Sequence, residues 1–219
     1  MTERIPERPH RRERALRWRA AEYVSLDFEA TGLDFERDRI ISFGAVPIRD
    51  GRVELGEASY QLVDPGDRPV SPESVTVHGI RPADLVGAAS QDTARRGLAE
   101  ILRRRYMVAW HAGVEIAFLS KLFRAPPRRW SRSTIDVRDL LLVLEGPGAA
   151  SLTLTDAAAR CGVPVADPHH ALDDAVVTAQ LFLVVVGRLV LRDPLRTVGD
   201  LLGARLTPPP VLRRPRAPW

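Results

Sequence analysis

Residues 24–29 read VSLDFE, and their alternation limits what this segment can become. In an extended strand successive side chains point to opposite faces, so Val24, Leu26 and Phe28 take one side and Ser25, Asp27 and Glu29 the other. Two carboxylates therefore stand side by side on a strand that otherwise looks buried. Burying like charges without a partner is costly or drives their pKa values upward. Something positive has to sit between Asp27 and Glu29, either an arginine or a metal ion. Thr31–Gly32 then turns the chain.

The neighbouring segments continue the sheet. RIISFGAVPIR (39–49) reads as a second strand, Asp50–Gly51 as a two-residue hairpin turn and RVELGEASYQLV (52–63) as a third strand. Residues 64–82, punctuated by prolines and glycines, read as loop. The period then changes. Residues 92–105 read as a helix, 106–110 as a short buried strand, 114–123 as a helix, 134–137 as a strand and 139–144 as a helix. Residues 153–162 form a helix closed by Gly162, and 171–191 form a long helix whose apolar stripe is expected at 172, 176, 179, 183, 186 and 190. A three-stranded meander followed by alternating helices and strands implies an α/β mixed sheet covered on both faces.

The chain of 219 residues suffices for one such domain. It divides into a basic, flexible segment (1–20), the domain (21–192) and a Pro/Arg-rich segment (193–219), with neither end expected to carry core. A single cysteine, Cys161, excludes an internal disulfide framework and fits a reducing compartment. The apolar run LFLVVV (181–186) is too short to span a bilayer, and residues 1–20 lack an apolar signal core. A soluble cytoplasmic protein with no membrane partner is the simplest reading. The net charge of +4 points to an anionic partner, but 31 of the 32 basic residues are arginine and Lys121 is the only lysine. Such bias reflects base composition, so clustering carries more weight: seven arginines between Arg4 and Arg19, and Arg103 to Arg105.

Acids and a histidine also occur where structure alone would not want them. Glu115 lies in the first turn of its helix with Phe118, Leu119 and Leu122 at spacings of three, four and seven, so it faces inward. PHHALDDA (168–175) puts His169 five residues ahead of Asp174 at the start of the long helix. Structural roles compete for each: arginine pairing for Asp27 and Glu29, and the helix dipole for Glu115 and Asp174.

Taken together these residues resemble the DEDDh branch of 3′–5′ exonucleases, the family of the proofreading epsilon subunit of bacterial DNA polymerase III. Asp27, Glu29, Thr31 and Gly32 match its D-x-E-x-T-G motif, and His169, Ala171 and Asp174 match H-x-A-x-x-D. VHGI (77–80), STIDVRDLL (133–141) and SLTLTDAAARCGV (151–163) follow the family's order. The second motif departs: Trp110 and His111 stand for the usual His-Asn pair, and Glu115 for the usual Asp.

The resemblance implies a ribonuclease-H-like sheet, three antiparallel strands then parallel ones, flanked by helices. It implies two divalent cations, Mg²⁺ or Mn²⁺, with Asp27 bridging them, Glu29 and Asp174 on the nucleophile side and Glu115 on the other. His169 would act as general base. Thr31, Gly32 and Leu33 would lie near the 3′-terminal nucleotide. The implied partner is a nucleic acid with a free 3′ end, DNA before RNA, with a DNA polymerase allowed as a second partner. The alternatives are an RNA-trimming or oligoribonucleotide nuclease, and a non-catalytic nucleic-acid- or polymerase-binding module.

Overall fold

The computed structural model describes residues 5–166, 169–192 and 197–204. Strands β1 (Tyr23–Ala30) and β2 (Ile40–Arg49) pair antiparallel along nearly their whole length. At the turn between β2 and β3 (Arg52–Val53), Asp50 and Gly51 both have positive φ, 50° and 72°, the geometry that the dipeptide favours. β4 (Ser59–Leu62) returns to the other end of β2. The third strand expected over 52–63 is thus two short strands. Leu55–Glu57 forms a 3-10 turn between them, where Gly56 has no side chain to pack, and Arg49 grips Glu57 at 2.6 and 2.5 Å.

Helices α1 (Pro72–His78) and α2 (Gln91–Ile101) follow. α1 falls in the stretch expected to be loop. Its signals are local: Ser71 caps the N-terminus, Pro72 occupies the first turn and Gly79 at φ 73° ends it. β5 (Tyr106–Ala109) then pairs parallel with β1, and β6 (Thr134–Asp136) parallel with β5. α3 (Gly113–Leu122) and a short α4 (Pro127–Ser131) connect them. α5 (Val137–Glu145), α6 (Leu154–Cys161) and α7 (Ala171–Arg192) follow, and α8 (Val198–Gly203) comes last. The sheet order is β3-β2-β1-β5-β6, with β4 also on β2.

The alternation in β1 divides the core. Tyr23 joins Val46, Tyr106, Val108 and Ile135 under α5, α6 and α7, whereas Val24, Leu26, Phe28 and Met107 pack with α2 and α3. Asp27 and Glu29 lie on the α7 side. α7 is long and apolar enough to cross a bilayer, but it lies against the sheet, with Phe182, Val185 and Leu189 buried.

The stripe on α7 is only partly the one expected. Ala179 and Val186 are buried as expected, but the face is carried mainly by Ala171, Ala175, Thr178, Phe182, Val185 and Leu189, while Val190 is exposed. A helix apolar nearly all round has no unique hydrophobic phase, so the close seating of Ala171 and Ala175 on the sheet decides its rotation.

The end segments also carry core, against expectation. Trp18 is buried edge-on against Phe182, and Tyr23 Oη donates to the Trp18 carbonyl at 2.6 Å. Val198 N–H donates to the Leu16 carbonyl, and α8 buries Val198, Leu201 and Leu202. Arg104 pairs with Glu7. Such clusters are too short to register as a periodic pattern. Residues 205–219 lie outside the described residues.

Candidate metal centre and active site

Three features of the fold bring the acids together. β1 carries Asp27 and Glu29 on one face, and a one-residue register shift between Glu29 and Ala30 marks a bulge beside them. Asp27 pairs with Gly44 of β2. A Cβ on Gly44 would stand 2.2 Å from the Ala171 carbonyl oxygen and 2.3 Å from the Leu172 Cα, so the first turn of α7 rests directly on bare strand backbone. That contact sets Asp174 beside β1. One ligand oxygen each from Asp27, Glu29 and Asp174 all lie within 4.8 Å of one another.

Glu115 arrives from the other side of the sheet's end. β5 stops at Ala109, next to Asp136 at the end of β6. Asp136 accepts the Ala112 N–H at 2.9 Å and the Arg138 N–H at 3.0 Å, so one carboxylate pins the β5–α3 turn and caps α5. His111, in that turn, takes a positive φ of 59°. Glu115 follows in the first turn of α3 and is only 2% exposed, its Oε2 without a hydrogen-bond partner. It stands outside the tight triad.

The electrostatics follow from this crowding. Burial, and then the charges of Glu115, Glu29 and Asp174, hold Asp27 well above the usual carboxylate range. Burial and Asp174 push Glu29 up to about 8. Burial and then Asp136 and Glu29 raise Glu115, and burial raises Asp174 against the pull of the His169 N–H. Among the described residues no arginine or lysine pairs with any of the four. Of the two positive partners that the sequence allowed, the described residues do not supply the arginine. Four hard oxygen donors, one buried and orphaned, suit a divalent cation such as Mg²⁺ or Mn²⁺.

His169 lies at the mouth of the cluster, exposed, with φ of 65° and its N–H 3.2 Å from Asp174 Oδ2. His170 instead turns its ring onto Tyr60.

The turn after β1 is held by residues that the sequence did not single out. Asp38, 4% exposed, accepts from Thr31 Oγ1 (2.8 Å), Asp34 N–H (2.8 Å) and Arg68 Nε (2.9 Å). Lys121 Nζ donates to the Glu36 and Asp38 carbonyls. Thr31 is thereby buried and engaged. A Cβ on Gly32 would meet Asp38 Oδ2 at 2.4 Å, so the glycine makes room for that carboxylate. Leu33 stands 70% exposed on this braced turn. Lys121 and Tyr60 act through contacts distant in sequence, which local pattern does not reveal, whereas Asp38 reaches Thr31 and Asp34 within its own turn and only Arg68 from afar. Gly44 did carry a signal, since glycine inside a strand marks close approach of another backbone.

Comparisons with known proteins give the family and the fold. The exonuclease family model RNase_T matches residues 24–182. A PolC-type DNA polymerase III of Thermotoga petrophila is 34% identical over 164 residues, which are 74% of this chain and 12% of that protein. A DNA polymerase III epsilon-like protein of Rhodobacter capsulatus is 31% identical over 82% of this chain and 26% of its own length. The chain thus spans a minor part of these relatives. The epsilon subunit of Aquifex aeolicus is 27% identical, covering 76% of this chain and 81% of the subunit. In fold, the nuclease domain of 3′hExo, a DEDDh family member solved with rAMP, superposes with a TM-score of 0.65 at 18% identity, over 84% of this chain and 98% of that one. E. coli Exonuclease I with a dT13 oligonucleotide gives 0.66 at 19% identity, over 78% and 42%. By the match across the whole sheet and both ends of the carboxylate cluster, this chain belongs to the RNase_T family of exonucleases.

Proposed function

We propose that this chain is a metal-dependent 3′–5′ exonuclease that hydrolyses the terminal phosphodiester of a nucleic acid and releases nucleoside 5′-monophosphates. The observation that carries the reading is the carboxylate cluster with no protein cation among the described residues: Asp27, Glu29 and Asp174 within 4.8 Å, and buried Glu115 behind them. Asp27, Glu29, Asp174 and Glu115 would hold two divalent ions, whose chemistry is neutralisation of phosphate charge and activation of water. His169, exposed at the mouth, takes the proton of the attacking water, a task suited to an imidazole. The backbone at Gly32 and the exposed Leu33, on a turn braced by Asp38 and Lys121, receive the terminal nucleotide. Aspartate at position 38 and lysine at 121 keep that turn rigid without touching the reaction.

DNA is the favoured substrate, since the sequence relatives are named as DNA polymerase III proteins, and a polymerase is a fitting partner. An RNA-trimming role has one observation in its favour, the rAMP in the 3′hExo structure. Incubation of labelled single-stranded DNA and RNA with Mg²⁺ or Mn²⁺, with EDTA as control, decides between them. Release of mononucleotides from DNA is expected, abolished by EDTA. Cleavage of neither would leave a non-catalytic binding module in its place. His169→Ala should lower turnover by about 10²–10⁴-fold with folding intact. If His170→Ala did this instead, the base would be misassigned.

A further inference from the structure

Tyr60 stands in line with the catalytic row. In the sheet, Asp27 pairs with Gly44 and Gly44 pairs with Tyr60, so the three share one face across three strands. Two strand spacings separate Tyr60 from Asp27 along that row, about 10 Å between Cα atoms. The first turn of α7 rests on the middle member, Gly44. The residue just ahead of it, His170, lays its ring on Tyr60 with centroids 4.5 Å apart and planes inclined by 34°, a close, tilted ring contact.

His170 is held by two contacts. Tyr60 covers its ring, and its carbonyl accepts the Asp174 N–H at 3.0 Å as α7 begins. Asp173 Oδ2 lies 3.1 Å from its Nδ1 but makes no hydrogen bond to it. His169 has no comparable side-chain anchor among the described residues. It is exposed and sits in the left-handed region at φ 65°, where a residue with a side chain persists only if its surroundings impose it. The imposed element is next door.

We infer that Tyr60 is a positioning residue: by its ring contact with His170 it fixes the backbone that carries the His169 imidazole to the carboxylate cluster. This rests on the exonuclease reading above, with His169 as base. Tyr60 does not touch the reacting atoms. The contact with His170 is made by its ring, not by its hydroxyl.

Steady-state kinetics on a labelled single strand with Mn²⁺ test this. Tyr60→Leu should lower kcat by about 10- to 100-fold, the scale of a small misplacement of a catalytic group, with KM within twofold. Tyr60→Phe should restore kcat. The double variant Tyr60→Leu/His170→Ala should be no slower than the worse single variant, because both remove one contact. An unchanged kcat in Tyr60→Leu overturns the inference, and so does a rise in KM alone, which would make Tyr60 a platform for a substrate base. A second arm does not need turnover. In ¹H–¹³C spectra of the metal-free protein, Tyr60→Leu should displace the ring signals of both His170 and His169. Movement of His170 alone shows that the contact is not transmitted and also overturns the inference. If the wild-type chain cleaves no nucleic acid, the exonuclease reading falls and the spectra alone decide whether Tyr60 positions His169.

Discussion

Glu115 is one of three residues, with Trp110 and His111, at which the second motif differs from the pattern that the sequence resembles, and its surroundings say what a glutamate must do there. It is buried, repelled by Asp136 and Glu29, and its Oε2 has no hydrogen-bond partner. A carboxylate in that state is either protonated or neutralised by a cation. An extra methylene displaces the oxygens by roughly one C–C bond, which Mg²⁺ tolerates poorly because it demands near-ideal octahedral geometry at about 2.0–2.1 Å. Mn²⁺ takes the same ligands and binds more tightly than lighter hard ions at a given site. We expect turnover to be higher with Mn²⁺ than with Mg²⁺, Glu115→Asp to shift that preference toward Mg²⁺, and Glu115→Gln to depress activity strongly with either. Rates measured with each metal check all three, and full activity in Glu115→Gln would remove Glu115 from the ligand set. At this scale much was legible: the period of two placed Asp27 and Glu29 on one face, and helical spacing turned Glu115 inward. Which group Asp136 holds was not, because the Ala112 N–H that it accepts lies 24 residues earlier.

The start of α7 is the element on which the site depends. Gly44 lets its first turn lie on β2, and the same contact sets Asp174 against Asp27 and His170 against Tyr60. A methyl there has nowhere to go, since its neighbours are backbone atoms at 2.2 and 2.3 Å. Gly44→Ala should therefore move the helix start. We expect a loss of about 1–3 kcal/mol in denaturant unfolding, the usual range for overpacking, together with a fall in kcat larger than stability alone explains. Retention of both would show that the sheet yields at that point instead. The existence and chain order of β1, β2, β5, β6 and the helices α2, α3, α5, α6 and α7 were readable from periodicity and caps. The rotation of α7 and the break between β3 and β4 were not: the first depends on which of several apolar faces finds small residues opposite, the second on a 3-10 turn held by the Arg49–Glu57 pair.

The two ends of the described chain meet at the whole-molecule scale. Leu16 pairs with Val198 through backbone, Arg17 bridges to Thr197 and Trp18 packs on Phe182. Trp18→Ala removes a large buried ring from the α7 side of the core and should cost about 3–5 kcal/mol, read as a lowered melting temperature, with kcat at a permissive temperature nearly unchanged. A melting temperature that does not move would return the N-terminal segment to the role of an appendage.

The site also sets how the whole molecule responds to pH. Without metal, Glu29 stands near 8 and Asp27, Glu115 and Asp174 stand above their ordinary values, all by burial first. Between the unfolded carboxylate value of about 4 and the raised folded values, the native state holds more protons than the unfolded chain. The slope of unfolding free energy with pH is then negative, so this contribution is present at low pH and lost as pH rises through about 8. Asp38, Asp84, Asp92 and Asp156 act in the opposite sense, but below about pH 4, because hydrogen bonds and arginine charges lower them. With EDTA, the melting temperature should therefore fall from about pH 5.5 to about pH 8.5. A divalent cation replaces those protons as the neutralising charge and binds the folded state alone, so it stabilises by mass action. Millimolar Mn²⁺ should raise the melting temperature strongly at the higher pH and little at the lower one, where protons compete for the same oxygens. Asp27→Asn should flatten the metal-free profile and shrink the Mn²⁺ shift together. A Mn²⁺ shift as large at pH 5.5 as at 8.5 would mean that the cation stabilises the fold from some other place.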